Sequence, residues 1–355
     1  MESLIKINRV IIMFVAVCFR YVSLFYSSTI LNYILLFLLF ALTIFNIFTI
    51  KFKDKKFRKM FILLILSAFI FLLNNEDSLF IYLIATLAFL DKDINVTIKY
   101  FLTFAILSFV VTLIAGQLGI VETVTSGRFI DNETVYRNSL GFGSVNTPFI
   151  YFMGIVFGLY YFFRKKPWKL FLIYIITTII AVWMFNETDC RSGMYIYVLF
   201  IFISLIYNEK INKKIKPIIP HLFLIFTIFS VLLAVFFGST VHNDVNELLS
   251  NRPYFSNYYL ENHLYFNLFG HDVVGKYVLD NFYLSLLVKT GIISYLVYFY
   301  LFYKGGKVVS HDYRLVLIII FTLMYGILEC NLYGNFIYII LLNSVINEGE
   351  ENEQN

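Results

Sequence analysis

IIPHLFLIFTIFSVLLAVFF, residues 218–237, runs for twenty positions without an aspartate, glutamate, lysine or arginine. A helix of that length rises about 30 Å, the thickness of a bilayer hydrocarbon core. Backbone amides in lipid must be satisfied within the segment, so the run reads as a helix rather than a strand. Comparable runs recur along the chain, near residues 9–27, 29–50, 60–74, 78–90, 96–117, 141–163, 170–186, 192–207, 282–303, 315–330 and 333–347. The reading is an all-α, polytopic membrane helical bundle of about 12 transmembrane helices.

Composition agrees. The chain is 60% hydrophobic and 14% charged, with a mean hydropathy of +0.78. A soluble domain has about 45–50% apolar and about 25% charged residues. Apolar stretches fill the whole length, so residues 1–355 read as a single membrane domain. Cys18, Cys190 and Cys330 have no paired spacing and read as apolar fillers of helices, with no zinc site or disulfide framework. The first run follows Lys6 and Arg9 and lacks a small-residue cleavage site, as a retained signal-anchor does.

Orientation follows from lysine and arginine in the short loops. One alternating set holds KFKDKKFRK (51–59), RKKPWK (164–169), NEKINKKIK (208–216) and KGGKVVSHDYR (304–314). The other holds NNED (74–77), residues 118–140, NETDCR (186–191) and the long segment 238–281. The basic set is assigned to the cytoplasm, which puts both termini inside and makes 118–140 and 238–281 extracytoplasmic loops. The acidic tail NEGEENEQN reads as a solvated end.

The outer loops carry Arg128, Arg137, Arg191 and Arg252, with Lys276 their only lysine. Positive charge there opposes the topology rule and needs its own reason. Arginine offers a planar fork that grips phosphate or carboxylate. The four are therefore expected to anchor an anionic ligand. The plainer alternative is surface pairing with Asp131, Glu133, Glu187 or Glu261.

Three segments concentrate this chemistry. In SGRFIDNETVYRNSLGFGSVNTPF (126–149), Arg128 and Arg137 precede Gly141, Gly143 and Asn146 at a span entrance, where glycines admit a ligand and a helix start offers amides to an anion. In NETDCRSGMYIYVL (186–199), Arg191 stands at a membrane boundary, where snorkelling to headgroups is the plain alternative. The long loop holds Arg252, His263, His271 and Asp272, then Asp280 and Asn281 where the tenth span begins. Its aromatics read as an interfacial belt or as platforms for sugar rings. No metal-ligand spacing recurs, so no metal is assigned. Asp280, a carboxylate at the mouth of an apolar helix, reads as a general base or as an N-cap. Arg20, Lys289 and Glu329 are ionisable groups at membrane depth, expected to face a polar cavity or one another. Lys289 and Glu329 would line one outward chamber, and pairing of Glu329 with Lys289 or Arg20 is the alternative.

Taken together, these segments resemble the Wzy-type oligosaccharide repeat-unit polymerases of the O-antigen ligase/polymerase superfamily. RNSLGFGSVN (137–146) is similar to that family's R-x-x-L-G-F…N element, and CRSGMYIYVL (190–199) to its (S/C)-R-(S/T)-G element. LSNRPYFSNYYLENHLYFNLFG (249–270) followed by DNFYLSLLVKTGII (280–293) resembles its L-x-x-R loop closing in a D/H-N-x-Y-L…G span. The resemblance implies an inverting, metal-independent glycosyltransferase of GT-C type that needs no cofactor. It would polymerise undecaprenyl-pyrophosphate-linked oligosaccharide on the outer face of the cytoplasmic membrane. Arg191 and Arg252 would engage the pyrophosphate, and Asp280, where ligase relatives commonly carry histidine, would activate the acceptor hydroxyl. Arg128, Arg137, Asn146, His263, His271, Asn281, Tyr283, Lys289 and Glu329 would contact substrate. Implied partners are the lipid-linked oligosaccharide, membrane lipids, a flippase and a chain-length regulator, with no nucleic acid. A flippase for lipid-linked oligosaccharide and a ligase that moves finished glycan to another acceptor remain open.

Overall fold

The computed structural model describes residues 2–21, 34, 37–45, 54–74, 78–90, 92–130, 133–239, 244–262, 267–270, 279–330 and 335–347. Most of the expected span 29–50, His263, His271, Asp131, Asp272, Lys276 and the acidic tail lie outside them, as do the side chains of Arg20, Arg128 and Glu133. Among the described residues the chain is predominantly helical, and its helices fall on the apolar runs. Four are long and apolar enough to cross a membrane, or five if the bent pair Arg191–Ile206 and Glu209–Ile215 is one span. This is a helical membrane protein. The loop 118–140 adds a short antiparallel hairpin, β1 (Thr125–Ile130) and β2 (Glu133–Asn138), with Arg137 opposite Ser126.

Two compact units divide the chain: residues 1–53, 84–205 and 333–339, and residues 54–83, 206–332 and 340–355. The helices, in chain order, are α1 (Glu2–Tyr21), α2 (Asp54–Asn74), α3 (Ser78–Ala88), α4 (Ile94–Gln117), α5 (Thr147–Phe163), α6 (Pro167–Thr188), α7 (Arg191–Ile206), α8 (Glu209–Ile215), α9 (Leu222–Phe237), α10 (Asp244–Leu248), α11 (Arg252–Asn262), α12 (Phe282–Val309), α13 (Tyr313–Leu328) and α14 (Ile337–Asn347). Local signals set several starts. Asp93 accepts from the Asn95 amide to cap α4, Pro148 and Pro167 open α5 and α6 where a missing N–H costs nothing, and Asp312 caps α13.

In the first unit, α1 and α4 run in the same direction, with Phe14 on Phe104 (ring centroids 5.3 Å apart) and the Cys18 thiol 3.2 Å from Ser108 Oγ. Helix α5 passes back along α4, Phe152 against Phe109. It shares its direction with α7, Phe152 meeting Tyr197 and Phe157 meeting Phe200. Polar groups turn inward: Tyr174 meets Ser204, and Thr177 and Thr178 meet the Tyr197 hydroxyl. Phe171, Ile175, Ile179 and Val182 of α6 face outward and exposed. An apolar exterior over a polar seam is the arrangement lipid selects.

Gly193 sits against the fully buried Phe149, where a β-carbon would come within 2.4 Å of the Phe149 side chain. Gly193→Ala is expected to cost about 1–3 kcal/mol through overpacking. The thermal midpoint of the detergent-solubilised variant checks this, and an unchanged midpoint would show that α5 yields.

In the second unit, α9 packs antiparallel to the later part of α12, Phe223 on Phe302 and Thr227 on Tyr295. Helix α12 meets the length and composition of a span but is not straight. A π-helical turn covers Leu286–Thr290, and Gly291 follows at φ 86°, ψ 173°. Phe282 and Tyr298 would stand about 24 Å apart along a straight helix, yet their rings lie 5.5 Å apart. Phe223 touches both arms, Tyr283 on one side and Phe302 on the other. The segment 282–290 is thus a stub folded back on 291–309. The expectation of an uninterrupted span over 282–303 is corrected accordingly. The turn is clasped by residues 267–270, whose Asn267 and Leu268 carbonyls accept from the Ile292 and Ile293 amides.

Candidate functional site

The long loop is structured where it carries Arg252. Asn246, fully buried, donates to the Phe237 carbonyl at the end of α9 and accepts from the Tyr254 amide in α11. Ser250 and Asn251 both take left-handed backbone conformations, φ 56° and 61°. Strained residues of this kind persist where the surroundings over-determine them, and they cluster at functional sites. Here they deliver Arg252 to the first position of α11. Asn246 went unnoticed in the sequence because an asparagine in a polar loop carries no distinguishing pattern.

Arg252 is the hub of the second unit's site. Its Nη2 donates to Glu329 Oε1 at 2.9 Å, and its Nε lies 4.0 Å from Asp280 Oδ2. The side chains of Arg252 and Glu329 are 13% and 4% exposed, while that of Asp280 is 26% exposed. Glu329 ends α13, so an arginine 77 positions upstream reaches it across the unit. Glu329 therefore pairs with Arg252, while the Arg20 side chain lies outside the described residues. Of the acids weighed as surface partners, Glu261 instead accepts from Asn257.

The cap at the mouth of α12 belongs to Asn281, whose side chain accepts from the Leu284 amide and donates to the Ile327 carbonyl. Asp280 is left to face the arginine, and the Cys330 thiol donates to its Oδ1 at 3.9 Å. Asp280 thereby links the Cys330 thiol to Arg252 and, through it, to Glu329. Cys330, read as an apolar filler, belongs to the site. Tyr283 is fully buried and donates to the Leu323 carbonyl at 2.6 Å, so it braces the stub.

The first unit holds the other two of the four outer-loop arginines expected at the site whose side chains are described. Arg137 Nε donates to the Thr188 carbonyl at 2.8 Å and Nη2 to Asn146 Oδ1 at 2.9 Å. This clamps β2 to the end of α6 and the start of α5. Asp189, left-handed at φ 42°, closes α6, and its Oδ1 stands 3.5 Å from Arg191 Nε. Arg191 is the first residue of α7 and its side chain is 35% exposed. Both Arg191 and Arg252 open helices close after left-handed residues, Asp189 two positions before Arg191 and Asn251 immediately before Arg252. A cation there opposes the helix dipole, so each needs a nearby anion. Arg191 has Asp189, and Arg252 has Glu329 with Asp280. Asp189 lies two positions before its arginine, whereas Glu329 stands 77 positions from Arg252 and could not be matched to it by sequence distance.

Arg252 with Asp280 offers a fixed guanidinium beside a partly exposed carboxylate. That pair can hold an anionic leaving group and receive a proton. Comparison with protein-family models, with curated proteins and with solved structures gives no match to this chain.

Proposed function

We propose that this chain polymerises lipid-pyrophosphate-linked oligosaccharide repeat units on the outer face of the cytoplasmic membrane. The observation that carries the reading is Arg252, tied to buried Glu329 and set 4.0 Å from Asp280. In the proposed reaction, Asp280 accepts the proton of the acceptor sugar hydroxyl. The hydroxyl oxygen attacks the anomeric carbon, and the bond from that carbon to the pyrophosphate oxygen breaks with inversion. Negative charge grows on the departing polyprenyl pyrophosphate, where a guanidinium stabilises it without a metal. A guanidinium carries five donors, so the Glu329 anchor and a phosphate can share it. For Arg191, which lies in the first unit, a pyrophosphate-binding role rests on the family resemblance alone. About 12 spans with both termini cytoplasmic complete the proposal.

Asp280→Asn keeps the shape but cannot take the proton. It is expected to slow polymerisation by about 10²-fold or more. The check is the polysaccharide size profile of a deletion strain complemented with each variant. Wild type should restore the ladder, while Asp280→Asn should leave single repeat units on lipid. Full-length polymer from Asp280→Asn would remove Asp280 from the mechanism.

A second reading is supported by the break in α12. Transporters build midplane sites from discontinuous helices, so a flippase for the same lipid-linked oligosaccharide fits that feature. Repeat units trapped on the cytoplasmic leaflet in the deletion strain would favour it. Single repeats on the outer leaflet favour the polymerase, and finished polymer stranded on its carrier favours a ligase.

A further inference from the structure

The basic stretch NEKINKKIKPII (208–219) is not a plain loop. Its first part is α8, capped by Asn208, whose side chain accepts from the Lys210 and Ile211 amides. Seven residues rise about 10 Å, too short to cross a bilayer or to persist as a helix unaided. Contacts within the second unit hold it. Buried Asn212 donates to the Ser310 carbonyl at 2.9 Å and accepts from the Tyr207 hydroxyl, and Lys216 Nζ stands 3.0 Å from His311 Nδ1. Ser310 and His311 form the turn between α12 and α13. At about 100° per residue, α8 and the turn after it divide into three sectors. Asn212 and Lys216 occupy the docked one. Ile211, Ile215 and Ile218 occupy the second, with Ile211 37% and Ile218 48% exposed. Lys210, Lys213 and Lys214 occupy the third, and all three are exposed. Among the described residues none of these three lysines makes an ion pair, and the adjoining Asp312 is taken by Arg314.

The surroundings fix the depth of this helix. The chain passes from α8 into residues 219–237, which are long and apolar enough to cross a membrane, and α12, on whose end α8 is docked, is a second such helix. The start of one and the end of the other lie together. The His221 ring is 5.5 Å from that of Tyr303, and a β-carbon on Gly306 would stand 3.7 Å from the Ile219 carbonyl oxygen. A helix held at the mouths of two spans sits among lipid headgroups. Deeper placement would strip three lysines of water, and placement in open water would leave the isoleucine stripe uncovered. An apolar stripe beside a lysine stripe is the pattern of a helix lying in the interface. We propose that α8 is an interfacial helix that binds anionic phospholipids, with its isoleucines at the boundary of headgroup and acyl chain and Lys210, Lys213 and Lys214 on the lipid phosphates. The leaflet is the one that the lysine pattern assigns to the cytoplasm. Complementary charge selects anionic over zwitterionic lipid, because a negative surface attracts juxtamembrane lysines.

The test uses the full-length protein in nanodiscs of phosphatidylglycerol or of phosphatidylcholine. Ile211→Cys, Ile218→Cys, Lys213→Cys and Lys214→Cys are made singly and labelled with a charged, water-soluble maleimide. The native cysteines, buried or half-buried, set a background measured in the unsubstituted chain. This readout does not depend on glycan synthesis. In phosphatidylglycerol the two isoleucine positions are expected to label at least about tenfold more slowly than the two lysine positions. Adding Lys210→Gln, Lys213→Gln and Lys214→Gln to Ile211→Cys or Ile218→Cys should speed their labelling at least about threefold, as should phosphatidylcholine. The three lysines are exposed, so their replacement should leave the thermal midpoint in detergent unchanged. Equal labelling at all four positions in phosphatidylglycerol would overturn the proposal and leave this face to a soluble acidic partner. Protection of the isoleucine positions that is the same in both lipids, or unaltered by loss of the lysines, would overturn the assignment to anionic lipid.

Discussion

Arg252→Ala is expected to abolish long polymer and also to weaken the fold, and the two effects can be separated. Glu329 is 3% exposed, and its 2.9 Å partner is Arg252. Removing one member of a buried pair leaves an uncompensated charge, at about 3–5 kcal/mol. Arg252→Ala alone therefore confounds misfolding with lost chemistry. In Arg252→Ala with Glu329→Gln, the buried charge disappears with its partner. The double variant should recover most of the thermal midpoint and membrane yield lost in the single one. If Arg252 only holds the fold, polymer length recovers with them. If Arg252 stabilises the leaving group, the double variant stays at least about 10²-fold slow. Arg252→Lys adds a third comparison, because a lysine keeps the charge but lacks the fork that can hold Glu329 and a phosphate together. The size profile and the midpoint, measured on the same preparations, decide between these outcomes.

The helical character of the chain was legible because lipid imposes a crude code. Runs such as 94–117 and 167–188 are apolar on every side, and no tertiary context is needed to read them as helices. The arginines were legible for the opposite reason, as positive charges in the loops that the lysine pattern assigns to the other side. What each arginine does was not. Arg137 is spent on a main-chain carbonyl and an asparagine, groups with no sequence signature, whereas Arg252 finds a glutamate 77 positions away. The hairpin at 125–138 escaped because TSGRFI and ETVYRN lack the alternation that marks a strand with one buried face. Asp280 and Asn281 are adjacent and both cap helices well, so sequence left the choice open, and the geometry gives the cap to Asn281. Cys330 was discounted because a lone cysteine in an apolar run is usually filler.

The fold-back at Gly291 matters most among the features sequence did not reveal, since it sets where Asp280 lies. In a straight α12, Asp280 would stand just before the first residue of a span. With 282–290 folded back, the start of the stub lies beside Tyr298, seven residues into the second arm, and beside Phe223 near the start of α9. The carboxylate is thereby brought to Arg252, whose side chain is 13% exposed, so that the guanidinium acts through a lower dielectric than in open solvent. A single glycine in KTGII gives no warning of this, because an isolated glycine in a helical pattern is usually tolerated.

Gly291→Ala is accordingly expected to disable the protein although no proposed reacting group changes. At φ 86° and ψ 173° the residue occupies a region open essentially to glycine alone. A β-carbon there would lie 2.3 Å from the Gly270 amide nitrogen and 2.6 Å from the Leu268 carbonyl oxygen. Both are backbone atoms of the clasp, so no side-chain rotation relieves the clash. The strain alone costs about 1–3 kcal/mol, and overpacking adds a similar amount. The turn must open, which moves the stub and with it Asp280. The same helix supplies the control. At Gly306 a β-carbon would meet nothing closer than 3.7 Å, so Gly306→Ala should leave both midpoint and polymer unchanged. Gly291→Ala should lower the midpoint by several degrees and give single repeat units on lipid, in the pattern of Asp280→Asn. Wild-type polymer from Gly291→Ala would mean that the reaction does not need the fold-back, and the catalytic role of Asp280 would then have to rest on its own substitution alone.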